Sequence, residues 1–250
     1  EEIARLYGYD NIPTTVPPNP SPKAGLSAAR RLEFAVRELL RACGLSEVVC
    51  YSLTTPEETA HFDLPVDESM VALRNPLTSD ATHLRTSLLP AILRVLELNS
   101  RRRVGNVWAF ELGKSYVLGG ETTPARESRR LSLALMGRRT TSAWNRPAED
   151  QQADFYALKG IVEELLGFLG IPQRSYGAST HAALHPHRTA SIEAGAQQLG
   201  VLGEVHPELA ERLGLLGRAY VAELDFEALA GNAATDRAYA GWPSRIFVVD

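Results

Sequence analysis

Long stretches of the chain place apolar residues at every third or fourth position. In residues 27–43 these positions hold Leu32, Ala35, Val36, Leu39, Leu40 and Cys43, and charged residues lie between them. This spacing puts the apolar side chains on one face of a helix, and Gly44 supplies a left-handed stop. The same periodicity predicts helices over residues 87–102 and 155–169, the second ending before Gly170.

Shorter runs of β-branched and aromatic residues lie between these helices. They predict strands over residues 47–53, 70–74, 106–118 with a turn at Gly113, 131–136, 191–193, 198–202 and 219–224. Short helices are predicted over residues 1–10, from Pro56 with Thr55 as its cap, and over 207–213. Most connections are too short for repeated parallel crossovers, so we predict an α+β fold with a mainly antiparallel sheet flanked by helices.

The composition indicates a globular protein without a membrane-spanning segment. Of 250 residues, 44% are hydrophobic and 22% are charged, and no apolar run is long enough to cross a bilayer. The formal net charge of -4 gives no general attraction to a polyanion such as RNA. The best local basic cluster is Arg101, Arg102 and Arg103, which we interpret as a solvated helix end rather than an RNA-binding patch.

Two other compositional features bear on organisation. Cys43 and Cys50 are too few for a disulfide framework and lack the partners of a zinc site, so we expect reduced thiols. Residues 14–25 are rich in proline and lack apolar periodicity, which predicts an interdomain linker. Because the chain opens on Glu1 and Glu2 rather than on Met, we expect it to be a piece of a longer protein.

Several separated strings of the sequence resemble the β subunit of bacterial phenylalanyl-tRNA synthetase. They are EEIARLYGYDNIP (1–13), NPL (75–77), LRTSLLP (84–90), Asn99 with Arg102, FELG (110–113), DFYALKG (154–160) and GEVHP (203–207). The resemblance implies the end of a small helical domain over 1–13, the linker over 14–25, a class II aminoacyl-tRNA synthetase-like core over 26–240, and the start of a C-terminal domain over 241–250. Near residues 242–250 the sequence departs from the family by a shortened segment.

The family resemblance also implies partners and cofactors. The parent enzyme is expected to be cytoplasmic, to join two α and two β subunits, and to attach phenylalanine to tRNA(Phe) with ATP and Mg²⁺. ATP would bind to the α subunit, and this chain would be a structural, non-catalytic core that packs on α. In the family, acids that match Glu1 and Glu2 help bind Mg²⁺ at the α-subunit boundary. The alternative is that both are helix acids favoured by the dipole.

Residue types on two predicted strands favour the non-catalytic interpretation. A class II core needs arginines to neutralise the phosphates of ATP. Glu111 stands where the first is expected, and residues 219–225 are acidic with no arginine after Arg218. Such acids would repel ATP, and we expect Glu111 to form a buried ion pair with Arg85. The rival hypotheses are an autonomous class II adenylating enzyme and a tRNA-binding module.

Other conspicuous residues receive structural interpretations. We do not interpret His181, His185, His187 and His206 as a metal cluster, and we expect His185 and His187 to lie in a loop around Pro186. We interpret Trp108, Trp144 and Trp242 as packing residues. The helix over 87–102 is apolar around most of its circumference. We therefore expect Leu93 and Leu98 to contribute surface that a partner covers.

Overall fold

The structure is a computed structural model that describes residues 1–15, 25–67, 69–119, 125–138, 152–171 and 173–234. Its helices are α1 (Glu2–Tyr7), α2 (Ala28–Ala42), α3 (Pro56–His61), α4 (Leu89–Arg101), α5 (Phe155–Phe168), α6 (Pro207–Arg212) and α7 (Phe226–Asn232), with a 3₁₀ turn over Tyr9–Asn11. Its strands are β1 (Ser46–Glu47), β2 (Leu53–Thr54), β3 (His83–Leu84), β4 (Val107–Val117), β5 (Arg126–Met136), β6 (Arg174–Ala178), β7 (Leu184–Ala194), β8 (Gln197–Val205) and β9 (Ala219–Asp225).

A seven-stranded sheet organises the described residues. Its order is β1-β4-β5-β9-β8-β7-β6, and β2 with β3 forms a separate two-stranded ribbon. Among the described residues of the large sheet, the two-residue β1 runs parallel to its neighbour β4, and all other neighbouring strands pair antiparallel. The predicted α+β class with a mainly antiparallel sheet is confirmed.

Helices cover both faces of this sheet, and alternate strand residues separate two cores. Leu131, Leu133 and Leu135 of β5 pack with α2, α5 and α7, whereas Ala134 and Met136 pack with α4 and α6. We call these the α2 face and the α4 face. Alternation of this kind follows from the two-residue period of a strand.

Local sequence signals explain where several helices begin. Ser27, Thr55, Asp154 and Asp225 each accept a backbone N–H bond near the start of the helix that follows. Such caps satisfy amides that have no partner within the helix. The predicted starts of α2, α3 and α5 are confirmed for this reason.

Several predicted elements are wrong. Residues 48–52 form no strand, and the segment 70–74 contributes only a bridge between Ala72 and His83. Gly113 is not a turn, because β4 runs through it without interruption. His185 and His187 lie within β7 rather than in a loop, at a register shift between Leu184 and Thr189. The sequence patterns also missed β6 and α7.

The two leucines expected to face a partner have different environments. Leu93 is fully buried among the α4 face residues, so the prediction that it contributes partner surface is wrong. Leu98 is 44% exposed. Trp108 packs against the α2 face core as expected. Trp144, Trp242, most of the predicted linker and residues 241–250 lie outside the described residues.

Candidate functional site

Two acidic side chains occupy one transverse row on the α4 face of the sheet. Glu111 of β4 pairs in register with Ser132 of β5, and Ser132 pairs with Glu223 of β9. Glu111 and Ser132 are buried. Glu223 is surrounded by protein, although part of its side chain stays accessible. Acids at such depth need hydrogen-bond donors or a proton.

Arg85 neutralises the charge of Glu111. Arg85 Nη2 lies 2.8 Å from Glu111 Oε1, and both side chains are at most 5% exposed. Arg85 Nε donates to the carbonyl of Lys114 at 3.0 Å, and Nη1 approaches the carbonyl of Tyr51 at 3.4 Å. The predicted buried ion pair is confirmed, and its arginine is bound on several sides by this chain.

The backbone around Arg85 is fixed as well. Its N–H donates to Ser52 O, and its carbonyl accepts from Tyr116 N, each at 2.9 Å. A Cβ at Gly113 would lie 2.5 Å from Arg85 Nη2, so any larger residue at this position would force the guanidinium to move. The glycine of FELG therefore lets the Arg85 side chain lie directly against β4.

Glu223 acts as a remote cap for α4. It accepts from Ser87 Oγ at 2.9 Å and from Leu88 N at 2.6 Å, while Ser87 Oγ accepts from Leu89 N at 3.0 Å. A helix N-terminus presents amides without partners and favours nearby negative charge. Burial nevertheless raises the pKa of Glu223, and these hydrogen bonds only partly oppose that increase.

Cys50 lies beside the same ion pair. Its N–H donates to Glu111 Oε1 at 3.3 Å. Burial raises the pKa of the Cys50 thiol to about 12, and the Glu111 carboxylate adds to the effect. The thiol is therefore protonated at neutral pH and is a poor nucleophile.

This arrangement does not suit binding of a polyphosphate. The two acids would repel phosphate oxygens, and Arg85 is already neutralised by Glu111. Arg130, at the margin of the row, lies 3.3 Å from Asp225. These contacts instead attach the segment before α4 to the central strands β4 and β9, and they thereby hold α4 on the sheet.

Glu1 and Glu2, the residues proposed for Mg²⁺, are exposed at the N-terminal end of α1. Glu2 accepts from Arg5 Nε at 3.0 Å and from Nη2 at 2.6 Å, and α1 has no buried residue. In the part of the chain that the structure describes, no group of three or more His, Cys, Asp or Glu side chains could hold a metal. Mg²⁺ requires near-octahedral oxygen coordination, so Glu1 and Glu2 could serve only in a site completed from outside this chain.

The other candidate residues from the sequence also make contacts within this chain. Arg101 pairs with the buried Glu97, which reduces the positive charge of the cluster at residues 101–103. The rings of His185 and His187 lie 6.1 Å apart, and His185 Nδ1 accepts from the His187 N–H. Within the described ranges, no helix combines the length and apolar content that a membrane crossing requires.

Sequence reasoning missed Glu223 and Ser87 as a bonded pair. They lie 136 residues apart along the chain, and no local pattern links them. The signal that was available is Ser87 standing directly before an apolar run that begins with Leu88 and Leu89. Serine at this position is typical of a helix start. The second capping group, the Glu223 carboxylate, comes from a distant part of the chain.

Comparisons with known proteins agree with this architecture. Residues 12–226 match the family described as the phenylalanyl tRNA synthetase beta chain CLM domain. The chain is 42% identical over 233 residues to the phenylalanine–tRNA ligase beta subunit of Symbiobacterium thermophilum, which covers 92% of this chain and 26% of that protein. It is 42% identical over 238 residues to the same subunit from Moorella thermoacetica, covering 94% and 29% respectively. The chain thus spans between a quarter and a third of these relatives.

A solved structure shares the fold at low sequence identity. The pyrrolysyl-tRNA synthetase of Desulfitobacterium hafniense superimposes with a TM-score of 0.62 at 18% identity, covering 81% of this chain and 68% of that one. Identity this low supports the fold alone. It confirms the predicted class II synthetase-like architecture, in which the row of Glu111, Ser132 and Glu223 lies on the sheet.

Proposed function

Since the chain belongs to the phenylalanyl-tRNA synthetase β-chain family and carries its CLM domain, we propose that it is a structural, non-catalytic part of a phenylalanine–tRNA ligase. The complete enzyme attaches phenylalanine to tRNA(Phe) with ATP. ATP binds to the α subunit, and this core packs on α in a cytoplasmic assembly of two α and two β subunits.

The proposal rests on the α4 face of the sheet, where side chains of this chain already bind one another. Arg85 binds Glu111, and Ser87 with Leu88 binds Glu223. In an activating enzyme, preorganised cations would face the phosphates in the transition state. Here Arg85, which lies beside the row of Glu111, Ser132 and Glu223, is bound by the chain's own carboxylate, so the segment stabilises the fold.

Mg²⁺ belongs to the proposal only as a shared ion. Glu1 and Glu2 would supply two carboxylates, and further oxygen ligands would come from residues before this segment or from the α subunit. The Glu2 to Arg5 ion pair would have to open for this, at small cost, because exposed ion pairs contribute little.

The experiment measures phenylalanine-dependent exchange of pyrophosphate into ATP by the isolated chain, by the α subunit and by the complete enzyme. The chain alone should give no rate above a protein-free blank, the complete enzyme should be active, and the chain should sediment together with α. Exchange by the chain, retained after contaminating synthetase is removed, would support the adenylating alternative instead.

The tRNA-binding alternative has a separate readout. Affinity of the isolated chain for tRNA(Phe), falling steeply with salt, would favour it. We expect no such binding, because Arg101 is paired with Glu97 and the chain carries net negative charge.

A further inference from the structure

A cavity of about 480 Å³ opens at the start of α5. Residues 154–156 form one wall, and residues of β7, β8 and β9 form the other. Two of the strings that carry the family resemblance, DFYALKG (154–160) and GEVHP (203–207), therefore meet here. Tyr220 of the wall belongs to the core of the α2 face. The cavity thus lies on the other side of the sheet from the row of acids, and the structural role proposed above makes no use of it.

An irregularity in β7 creates the opening. Between Leu184 and Thr189, four residues of β7 stand opposite the single residue Glu204 of β8. A Cβ at Gly203 would lie 2.8 Å from Arg188 O, so glycine lets the two strands approach closely beside the bulge. Bulges redirect side chains and are frequent next to active sites. This bulge brings Arg188 to Glu204 at the cavity wall.

Carboxylates and guanidinium groups line the cavity in equal number. Asp154 and Glu204 supply the carboxylates, and Arg188 and Arg218 supply the guanidinium groups. Glu204 is only 6% exposed, and Arg188 Nη1 donates to its Oε2 at 2.7 Å. Arg218 Nε lies 3.6 Å from Glu204 Oε1, which is too long for a hydrogen bond. The Arg218 side chain is 68% exposed, so its donors are accessible to the carboxylate of a ligand.

The opposite charge has a binding group as well. Asp154 Oδ1 caps α5 by accepting from Ala157 N at 2.6 Å, and its second oxygen, Oδ2, can accept from an ammonium group of a ligand. Tyr220 adds a neutral donor. Burial raises the pKa of the Tyr220 phenol, the Glu204 carboxylate adds to the increase, and Arg218 opposes it only partly. The phenol is therefore protonated at neutral pH.

Aromatic rings complete the wall. Phe155 and Tyr156 meet edge to face, with ring centroids 5.8 Å apart, and Tyr220 lies across the cavity from them. Tyr156 is 75% exposed, so its ring is accessible to a ligand. A ligand ring gains from offset or edge contacts with such a side chain. Aromatic rings combined with separate positive and negative groups suit a zwitterion with an aromatic side chain better than a simple anion.

We propose that this cavity binds a free amino acid with an aromatic side chain. Arg218 receives the carboxylate, Asp154 receives the ammonium group, and Tyr156 contacts the ring. The inference goes beyond the proposed function, which gives this chain no organic ligand. It follows from the cavity wall alone and does not require the α subunit.

The test is a titration of the isolated chain with L-phenylalanine, followed by ¹H–¹⁵N NMR. Amide signals of residues 154–156 and 218–220 should shift and saturate, with a Kd of about 1 mM or tighter. Three analogues each lack one group: 3-phenylpropionate lacks the ammonium, phenethylamine the carboxylate, and L-alanine the ring. Each should bind at least about 10-fold more weakly. Absence of saturable shifts at these residues, or equal binding of any analogue, overturns the proposal.

Variants of the chain locate the binding. Arg218→Gln removes the partner of the carboxylate and should weaken binding by about 10- to 100-fold. Tyr156→Ala removes the ring contact and should weaken binding as well. Arg126→Gln is the matched control and should bind as the parent does, because Arg126 is exposed at the start of β5. The other end of that strand, Met136, pairs with Ala219 beside Arg218. Unchanged binding by both cavity variants overturns the proposal.

The two cavity variants change exposed side chains, so we expect both to fold, and circular dichroism checks this. If Arg218→Gln does not fold, Tyr156→Ala and the analogues decide. Failure of binding leaves the proposed function standing, because pyrophosphate exchange and sedimentation with α test that function without reference to this cavity.

Discussion

Glu33 on the α2 face and Glu223 on the α4 face are deeply placed acids with contrasting surroundings. Glu33 is bonded by Arg30, Arg37 and Arg129. Burial alone would raise the pKa of Glu33, but the three arginines lower it below its ordinary value. Glu223 is bonded by a hydroxyl and a backbone amide, and burial raises its pKa.

The difference shows how each acid serves the fold. Arg129 also binds Glu227 of α7 at 2.7 Å, and Arg37 binds Glu47 of β1 at 2.7 Å. The Glu33 cluster thus joins α2, β1, β5 and α7 by charge. Glu223 joins α4 to β9 with neutral donors, and the nearby arginine Arg85 is taken by Glu111. Placement of arginines therefore decides whether the pKa of a deeply placed acid is lowered or raised.

The largest expected effect comes from removing that arginine. Arg85→Leu leaves Glu111 buried without its cation and should lower the free energy of unfolding by about 3–5 kcal/mol. Urea denaturation at neutral pH measures the loss. The double variant Arg85→Leu with Glu111→Leu is the control and should recover much of it. A loss below about 1 kcal/mol would mean that the pair does not stabilise the sheet.

The next effect concerns the cluster on the α2 face. Glu33→Gln should cost about 1–2 kcal/mol at neutral pH, because three arginines lose a charged acceptor. The folded-state pKa of Glu33 is depressed, so its contribution is present above the unfolded pKa and is lost as pH falls through the folded pKa. Denaturation curves of variant and parent should converge in acid. Equal separation at all pH values would contradict the assignment.

Glu223→Gln should show the opposite dependence on pH. Its effect on the free energy of unfolding should be smaller than that of Glu33→Gln. The pKa of Glu223 is raised, so the parent loses stability as pH rises from the unfolded pKa towards the folded one, by at most about 1.4 kcal/mol per pH unit. The variant has no such group. Its stability relative to the parent should therefore rise with pH. A difference that falls with pH would show that Glu223 is ionised more easily than its surroundings suggest.

The long helices could be predicted from sequence because their apolar periodicity is local. The predicted range 27–43 contains α2, and 155–169 contains α5, with only end residues in excess. Capping residues such as Asp154 sit next to the helices they begin, so the boundary is also encoded locally.

The parts that failed depend on distant contacts. Residues 48–52 have the composition of a strand, but Cys50 N donates to the Glu111 side chain and Ser52 O accepts from Arg85 N, so no ladder forms. Gly113 was taken for a turn because glycine usually marks one. Glycine at this position instead leaves space for the side chain of Arg85, which lies 28 positions earlier in the chain. Pairing across such distances is not visible in a single sequence.

The raised pKa of Cys50 has a consequence for chemical damage. Because its pKa is raised to about 12, the thiol stays protonated at pH 7 and reacts slowly with alkylating and oxidising reagents. Its Sγ lies 3.9 Å from Ala91 O of α4, and detachment of α4 from the sheet would remove this contact and expose the sulfur further. We therefore expect Cys50, distinguished from Cys43 by mass spectrometry, to be alkylated faster when α4 detaches.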